Sequence, residues 1–144
     1  MRIKWGLITG MQRSQTNAAQ VVVASGATLD LGGTNQYLRA VGGAGTVVNG
    51  DLTASQLVAD LSDGPLTVLG SFTATDPLAV EVHNAAGLPN GYYELLSAGS
   101  IVNAAAISAA ALTGDGLPKG SKLRVRDGKV LVRLGEIGTV IVVE

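Results

Sequence analysis

Short apolar or alternating runs, separated by glycine-rich punctuation, fill most of this chain, and no long stretch keeps a helical period. Val21-Val22-Val23-Ala24 opens the series. One motif then recurs in Gly26-Ala27-Thr28-Leu29-Asp30-Leu31, Gly43-Ala44-Gly45-Thr46-Val47-Val48 and Gly64-Pro65-Leu66-Thr67-Val68-Leu69. Each copy has a glycine turn, one or two further turn or small residues, a Thr and a β-rich run. Aligned on Thr28, Thr46 and Thr67, the steps are 18 and 21 residues. A second short run follows each copy: Tyr37-Leu38-Arg39-Ala40, Asp51-Leu52-Thr53-Ala54 and Ser71-Phe72-Thr73-Ala74.

A period near 20 residues with two or three strands per period predicts an all-β chain folded as a β-solenoid, in which aliphatic side chains stack in ladders from coil to coil. Gly, Asn and Asp are expected at the corners, where positive φ is often required, and Asn35, Asn49, Asp63 and Asn84 fall in such stretches. Strand spacing alone also fits a β-sandwich; the recurrence of one motif favours the solenoid. The boundaries expected are a single domain over 1–144. Within it, 1–17 form an N-terminal strand or cap, 18–118 the coils, and 119–144 a C-terminal hairpin with a closing strand. Met1–Met11 is basic, then apolar, but short and broken by Gly6 and Gly10, so it reads as that first strand or cap rather than a cleaved signal.

Beyond Leu78 the pattern loosens. Leu78-Ala79-Val80-Glu81-Val82 alternates as a strand, and Tyr92-Tyr93-Glu94-Leu95-Leu96 follows a turn at Leu88-Pro89-Asn90-Gly91. The alanine-rich stretch from Asn103 to Leu112 is either a short helix or an irregular crossing. Lys122–Arg126 and Lys129–Arg133 flank Asp127-Gly128, the strongest short hairpin signal. In that register Val125 faces Val130 and Leu123 faces Val132. Lys122, Arg124, Arg126, Lys129 and Arg133, with Leu131, share the opposite face. Gly138–Glu144 is apolar on both faces and is expected to be buried or paired.

Composition sharpens this picture in three ways. Only five of the 144 residues are aromatic, so the core must be aliphatic, and 20 glycines suit many tight turns. Cysteine is absent, which excludes disulfides, thiolate nucleophiles and Cys-based zinc sites. No apolar run reaches the ~18 residues of a membrane-spanning helix. Net charge is −1 but unevenly spread. Residues 1–118 hold four Lys and Arg against eight Asp and Glu, and residues 119–144 hold six against three.

The stretch Val21 to Leu52, with Thr28-Leu29-Asp30-Leu31, Gly32-Gly33-Thr34-Asn35-Gln36 and Gly43-Ala44-Gly45-Thr46-Val47, resembles the passenger β-strand repeats of bacterial autotransporters. Gly91–Ala105 and Leu117–Arg133 are similar to the terminal section of such proteins. The resemblance implies a right-handed parallel β-helix in an exported bacterial protein, outside the cell or on its surface. It implies no enzymatic activity and no cofactor.

The residues themselves offer little chemistry. His83 is the sole histidine, with Glu81 two residues away on the same strand face; one His and one Glu make a poor ligand set, and no metal site is expected. No Gly-x-Ser-x-Gly elbow accompanies it. Asp30, Asp51, Asp60, Asp63, Asp76 and Glu81 are scattered near turns and strand edges, as solvated corner residues are. Gly42-Gly43-Ala44-Gly45 lacks the Lys-Ser/Thr ending of a phosphate loop. Neither a catalytic nor a cofactor-binding constellation is therefore expected.

The uneven feature is the basic strip Lys122, Arg124, Arg126, Lys129 and Arg133, the candidate interaction surface. It is read as a docking face for an anionic glycan or for the acidic body of another copy. Nucleic acid is not expected, because stacking aromatics are missing from the strip. Two functions follow. The chain is a non-catalytic structural module that associates with itself, end to end as a fibre or laterally, or it is an adhesin-like module that holds glycan or another surface molecule.

Overall fold

The computed structural model describes residues 2–3 and 20–135. These contain the strands β1 (Arg2–Ile3), β2 (Gln20–Val23), β3 (Thr28–Leu38), β4 (Ala40–Gly43), β5 (Thr46–Asp60), β6 (Leu66–His83) and β7 (Gly91–Val102). After a short helix α1 (Ala104–Ser108) come β8 (Ala111–Gly114), β9 (Lys122–Arg126) and β10 (Lys129–Leu134). The all-β class is established. All ten strands join one mixed sheet, ordered β1-β3-β5-β6-β7-β10-β9, with β2 on β4, β4 on β5 and β8 on β6.

Successive repeats pair in parallel. Thr28 lies beside Thr46 and Thr46 beside Thr67, so the motif alignment is the strand register over these positions. β5 and β6 pair in three runs, around Val47–Val68, Leu52–Phe72 and Leu57–Val80, separated by two register shifts. Side chains alternate in each run, and the inward ones meet their counterparts on the neighbouring strand. Leu29, Val47 and Val68 form one ladder; Leu38, Ala54 and Ala74 a second; Val21, Val41, Leu57 and Val80 a third. Every member is buried, so the core is a set of aliphatic stacks. Among the described residues, Phe72 is the one aromatic with a fully buried side chain, lying between Leu52 and Ile101.

The second-run alignment of the first repeat differs from expectation. Leu38 pairs with Ala54 and not with Leu52: a two-residue slip between Asp30 and Thr34 shortens the 18-residue step of the Thr motif to 16, whereas matching Leu38 to Leu52 needs 14. The extra residues are Gly32 and Gly33, both at positive φ (70° and 79°), and the short motif contains nothing that counts them.

Corners are made by the expected residue types but not at every expected position. Asn49 and Asn84 take positive φ (61° and 63°), and Asn103 (65°) leads into α1. Asn35 lies within β3 and Asp63 in a turn, neither at positive φ. The corner side chains also bond between repeats. Asn49 Nδ2 donates to Asp30 Oδ1 (3.1 Å), Asn84 Nδ2 to Asp60 Oδ1 (2.7 Å), and the Ser71 amide to Asp51 Oδ1 (2.9 Å).

Within the alanine-rich stretch only Ala104–Ser108 is helical; Ala106 and Ile107 are buried, and Ala111–Gly114 joins β6 as β8. The expected segments at 4–19 and 136–144, including the closing strand Gly138–Glu144, lie outside the described residues.

Candidate functional site

The hairpin register is the one its Asp-Gly loop predicts: Val125 opposite Val130, Leu123 opposite Val132. Asp127 and Gly128 both have positive φ (53° and 74°), as a two-residue turn matched to strand twist requires. Val130, Val132 and Leu134 are buried, which turns Lys129, Leu131 and Arg133 outward. β10 runs antiparallel to β7, placing Arg133 beside Tyr92, Leu131 beside Glu94 and Lys129 beside Ser97. Lys122, Arg124, Arg126, Lys129 and Arg133 therefore share one face with Tyr92 and Glu94 of β7.

These five cations are not equivalent. Lys129 Nζ forms an ion pair with Glu94 Oε2 (2.9 Å). Arg133 donates to the carbonyls of Gly135 and Gly120, 3.1 Å each. Arg124 Nη1 donates to the Tyr92 hydroxyl (2.9 Å), with the guanidinium carbon 5.7 Å from the ring centroid. That hydrogen bond, helped by the positive charges of Arg124, Arg133 and Arg126, lowers the phenol pKa below its ordinary value. Lys122 and Arg126 are exposed, and among the described residues no carboxylate pairs with Lys122, Arg124, Arg126 or Arg133.

A second polar cluster surrounds His83. Its Nε2 faces Glu81 Oε2 at 2.5 Å and its Nδ1 faces Asp115 Oδ1 at 2.8 Å. The hydrogen bond to Asp115 and the interactions with Glu81 raise its pKa against a smaller opposing effect of burial. Asp115 is correspondingly lowered. Asp60, beside His83 in the register, accepts from Asn84 and Ser62 and is also held below the usual carboxylate range. A carboxylate on each nitrogen favours the protonated ring, and neither nitrogen is left without a partner. The Ser62 hydroxyl bonds to Asp60, so no Ser–His pair forms there. Among the described residues, no three His, Cys, Asp or Glu side chains converge as a metal site.

Glu81 as the neighbour of His83 is readable from spacing. Asp115 is not, being 32 residues away and brought in by β8 docking on β6. Tyr92 was one of five scattered aromatics, and only the β7–β10 pairing joins it to the strip. The glycines at 42–45 meet backbone: a Cβ on Gly42 would strike the Val58 carbonyl, and one on Gly43 that of Val23. They serve close strand approach. No described helix is long and apolar enough to cross a membrane. No family model, curated protein or solved structure matches the chain.

Proposed function

We propose that this chain is a non-catalytic structural module of an exported bacterial surface protein, a right-handed parallel β-solenoid ended by a hairpin, and that it associates with further copies of itself. The observation that carries this reading is the parallel pairing of successive repeats at the 18- and 21-residue steps of the motif, with like side chains stacked in the core. The polar corner residues bond between repeats and hold each repeat to its neighbour. The resemblance of Val21–Leu52 to autotransporter passenger repeats supports the exported, extracellular setting. The doubly held His83 supports a structural role for the richest titratable cluster.

Charge supports self-association and says how copies meet. Among the described residues, 2–3 and 20–40 hold Arg2 and Arg39 against Asp30, 41–118 hold seven Asp and Glu and no Lys or Arg, and 119–135 hold six Lys and Arg against Asp127. The strand order sets β1 and β3 at one end and β9 at the other. End-to-end stacking therefore brings two basic ends together. A staggered lateral contact sets a basic end against an acidic flank, and such a heterologous contact propagates. Electron microscopy with light scattering at low salt is expected to show laterally assembled bundles or sheets. A strictly monomeric protein at high concentration would overturn the reading.

A further inference from the structure

We infer that the face around Tyr92 is a binding site for an anionic polysaccharide, with one carboxylated or sulfated sugar ring in a basic cleft and the adjoining ring over Tyr92 and Pro65. Two depressions share Tyr92. One, about 130 Å³, is lined by Tyr92, Lys122, Leu123, Arg124 and Arg133. The other, about 470 Å³, is lined by Leu61, Gly64, Pro65, Tyr92, Tyr93 and Glu94. The smaller is well below the ~300–1,000 Å³ that engulfs a whole ligand, so it suits one charged group and a ring edge. They meet at Tyr92, so neighbouring rings of one extended chain can occupy both.

The side chains fit that occupant. Arg124 spends one donor on the Tyr92 hydroxyl and keeps others of its five for a planar or tetrahedral oxyanion. Lys122 adds an exposed ammonium. Tyr92 is 46% exposed, whereas Phe72 is fully buried, Tyr37 bonds to Ser55 and Tyr93 is tied to the Pro89 carbonyl. Among these, Tyr92 is the ring that stands out to solvent, flat apolar area beside a cation. A single platform suits a pyranose next to its charged neighbour, while single-stranded nucleic acid calls for a series of stacking rings. The adjacent Glu94 carboxylate, though paired to Lys129, is partly exposed and accepts from sugar hydroxyls. The site is complete within one chain; the lateral contact proposed above draws on the same Lys122 and Arg124, so binding is tested on dispersed monomer.

The test is calorimetric titration of dilute monomer at fixed salt. The probes are oligogalacturonate, a dextran sulfate oligomer, neutral dextran and polyglutamate. Binding of either charged sugar supports the site, and the two arms tell carboxylate from sulfate; neutral dextran is expected to be silent and polyglutamate at least about tenfold weaker. Arg124→Gln and Tyr92→Ala should each weaken the charged-sugar complex roughly tenfold. Tyr92→Phe, which keeps the ring, loses far less. Arg126→Gln is the control: it removes the same charge from the same strand but lies outside the cleft, and about threefold or less is expected from lost long-range attraction. Equal losses in Arg124→Gln and Arg126→Gln, or none in Tyr92→Ala, would reduce the site to a diffuse basic surface and overturn the inference. Polyglutamate binding as tightly as the sugars would also overturn it, in favour of an acidic protein segment.

Discussion

At Gly70 the fold leaves no room for a methyl group, since a Cβ there would run into the Gly50 carbonyl and the Asp51 carboxylate. Gly26 differs: its φ is +83°, but nothing lies within 4 Å of a Cβ. The first glycine is required by packing and the second by backbone conformation. Gly70→Ala is expected to cost about 1–3 kcal/mol from forced backbone movement. Gly26→Ala costs about 1–2 kcal/mol from left-handed strain. Asn separates the two causes, because it tolerates positive φ but is larger than Ala. Denaturant unfolding should find Gly26→Asn milder than Gly26→Ala, and Gly70→Asn worse than Gly70→Ala. His83 offers a different residue-scale test. Its raised pKa means the protonated cross-link contributes fully below pH ~6.5 and is lost as pH rises through the folded value. Asp115 and Asp60, both lowered, contribute at neutral pH and lose that contribution as pH falls through their folded values. The His83 side chain is 39% exposed, so screening keeps the stability effect small and the titration itself is the better measurement. Nuclear magnetic resonance should place the His83 midpoint above 6.5, and Asp115→Asn should move it down. An unchanged midpoint in that variant would remove Asp115 as the main cause.

Strand register tests the fold at the next scale, and the absence of cysteine makes it accessible to cross-linking. Tyr37 lies beside Thr53, whereas matching the second short runs of the two repeats sets it beside Asp51. Neighbours on adjacent parallel strands are ~4.8 Å apart, within disulfide reach, and a two-residue offset exceeds it. Oxidation should therefore cross-link Tyr37→Cys with Thr53→Cys, and not Tyr37→Cys with Asp51→Cys. The reverse result would restore the run-to-run alignment. Much of the element layout was legible beforehand. Thr28, Thr46 and Thr67 mark true register positions because Thr and the following aliphatic run recur together, and Asp127-Gly128 specifies its hairpin locally. The slip at Gly32-Gly33 was not legible, since two flexible residues add length without changing the hydrophobic pattern. Nor was β8. Ala111–Gly114 continues a helix-forming run, and its pairing with Ala79–Val82 overrides local propensity. The candidate site divides in the same way: alternation places the five cations on one face, but Tyr92 reaches them only through long-range docking of β10 on β7.

At the scale of the molecule, the decisive quantity is the order of charge that the described residues set along the strand stack: basic, acidic, basic. β9, last in that order, carries exposed Lys122, Arg124 and Arg126, the kind of edge that resists pairing with an identical edge. If lateral contact is driven by basic ends seeking acidic flanks, association must weaken with ionic strength. Sedimentation should show assembly near about 0.01 M salt, where screening acts over ~30 Å, and dispersal near about 1 M, where it acts over ~3 Å. The triple charge reversal Lys122→Glu, Arg124→Glu and Arg126→Glu makes a sharper test than neutralisation, because the edge stays charged and guarded. It turns the hairpin end acidic while leaving the other end basic. Lateral bundles should disappear, and at low salt they should give way to thin filaments in which unlike ends meet. Bundles that persist unchanged after reversal would mean that the strip takes no part in assembly.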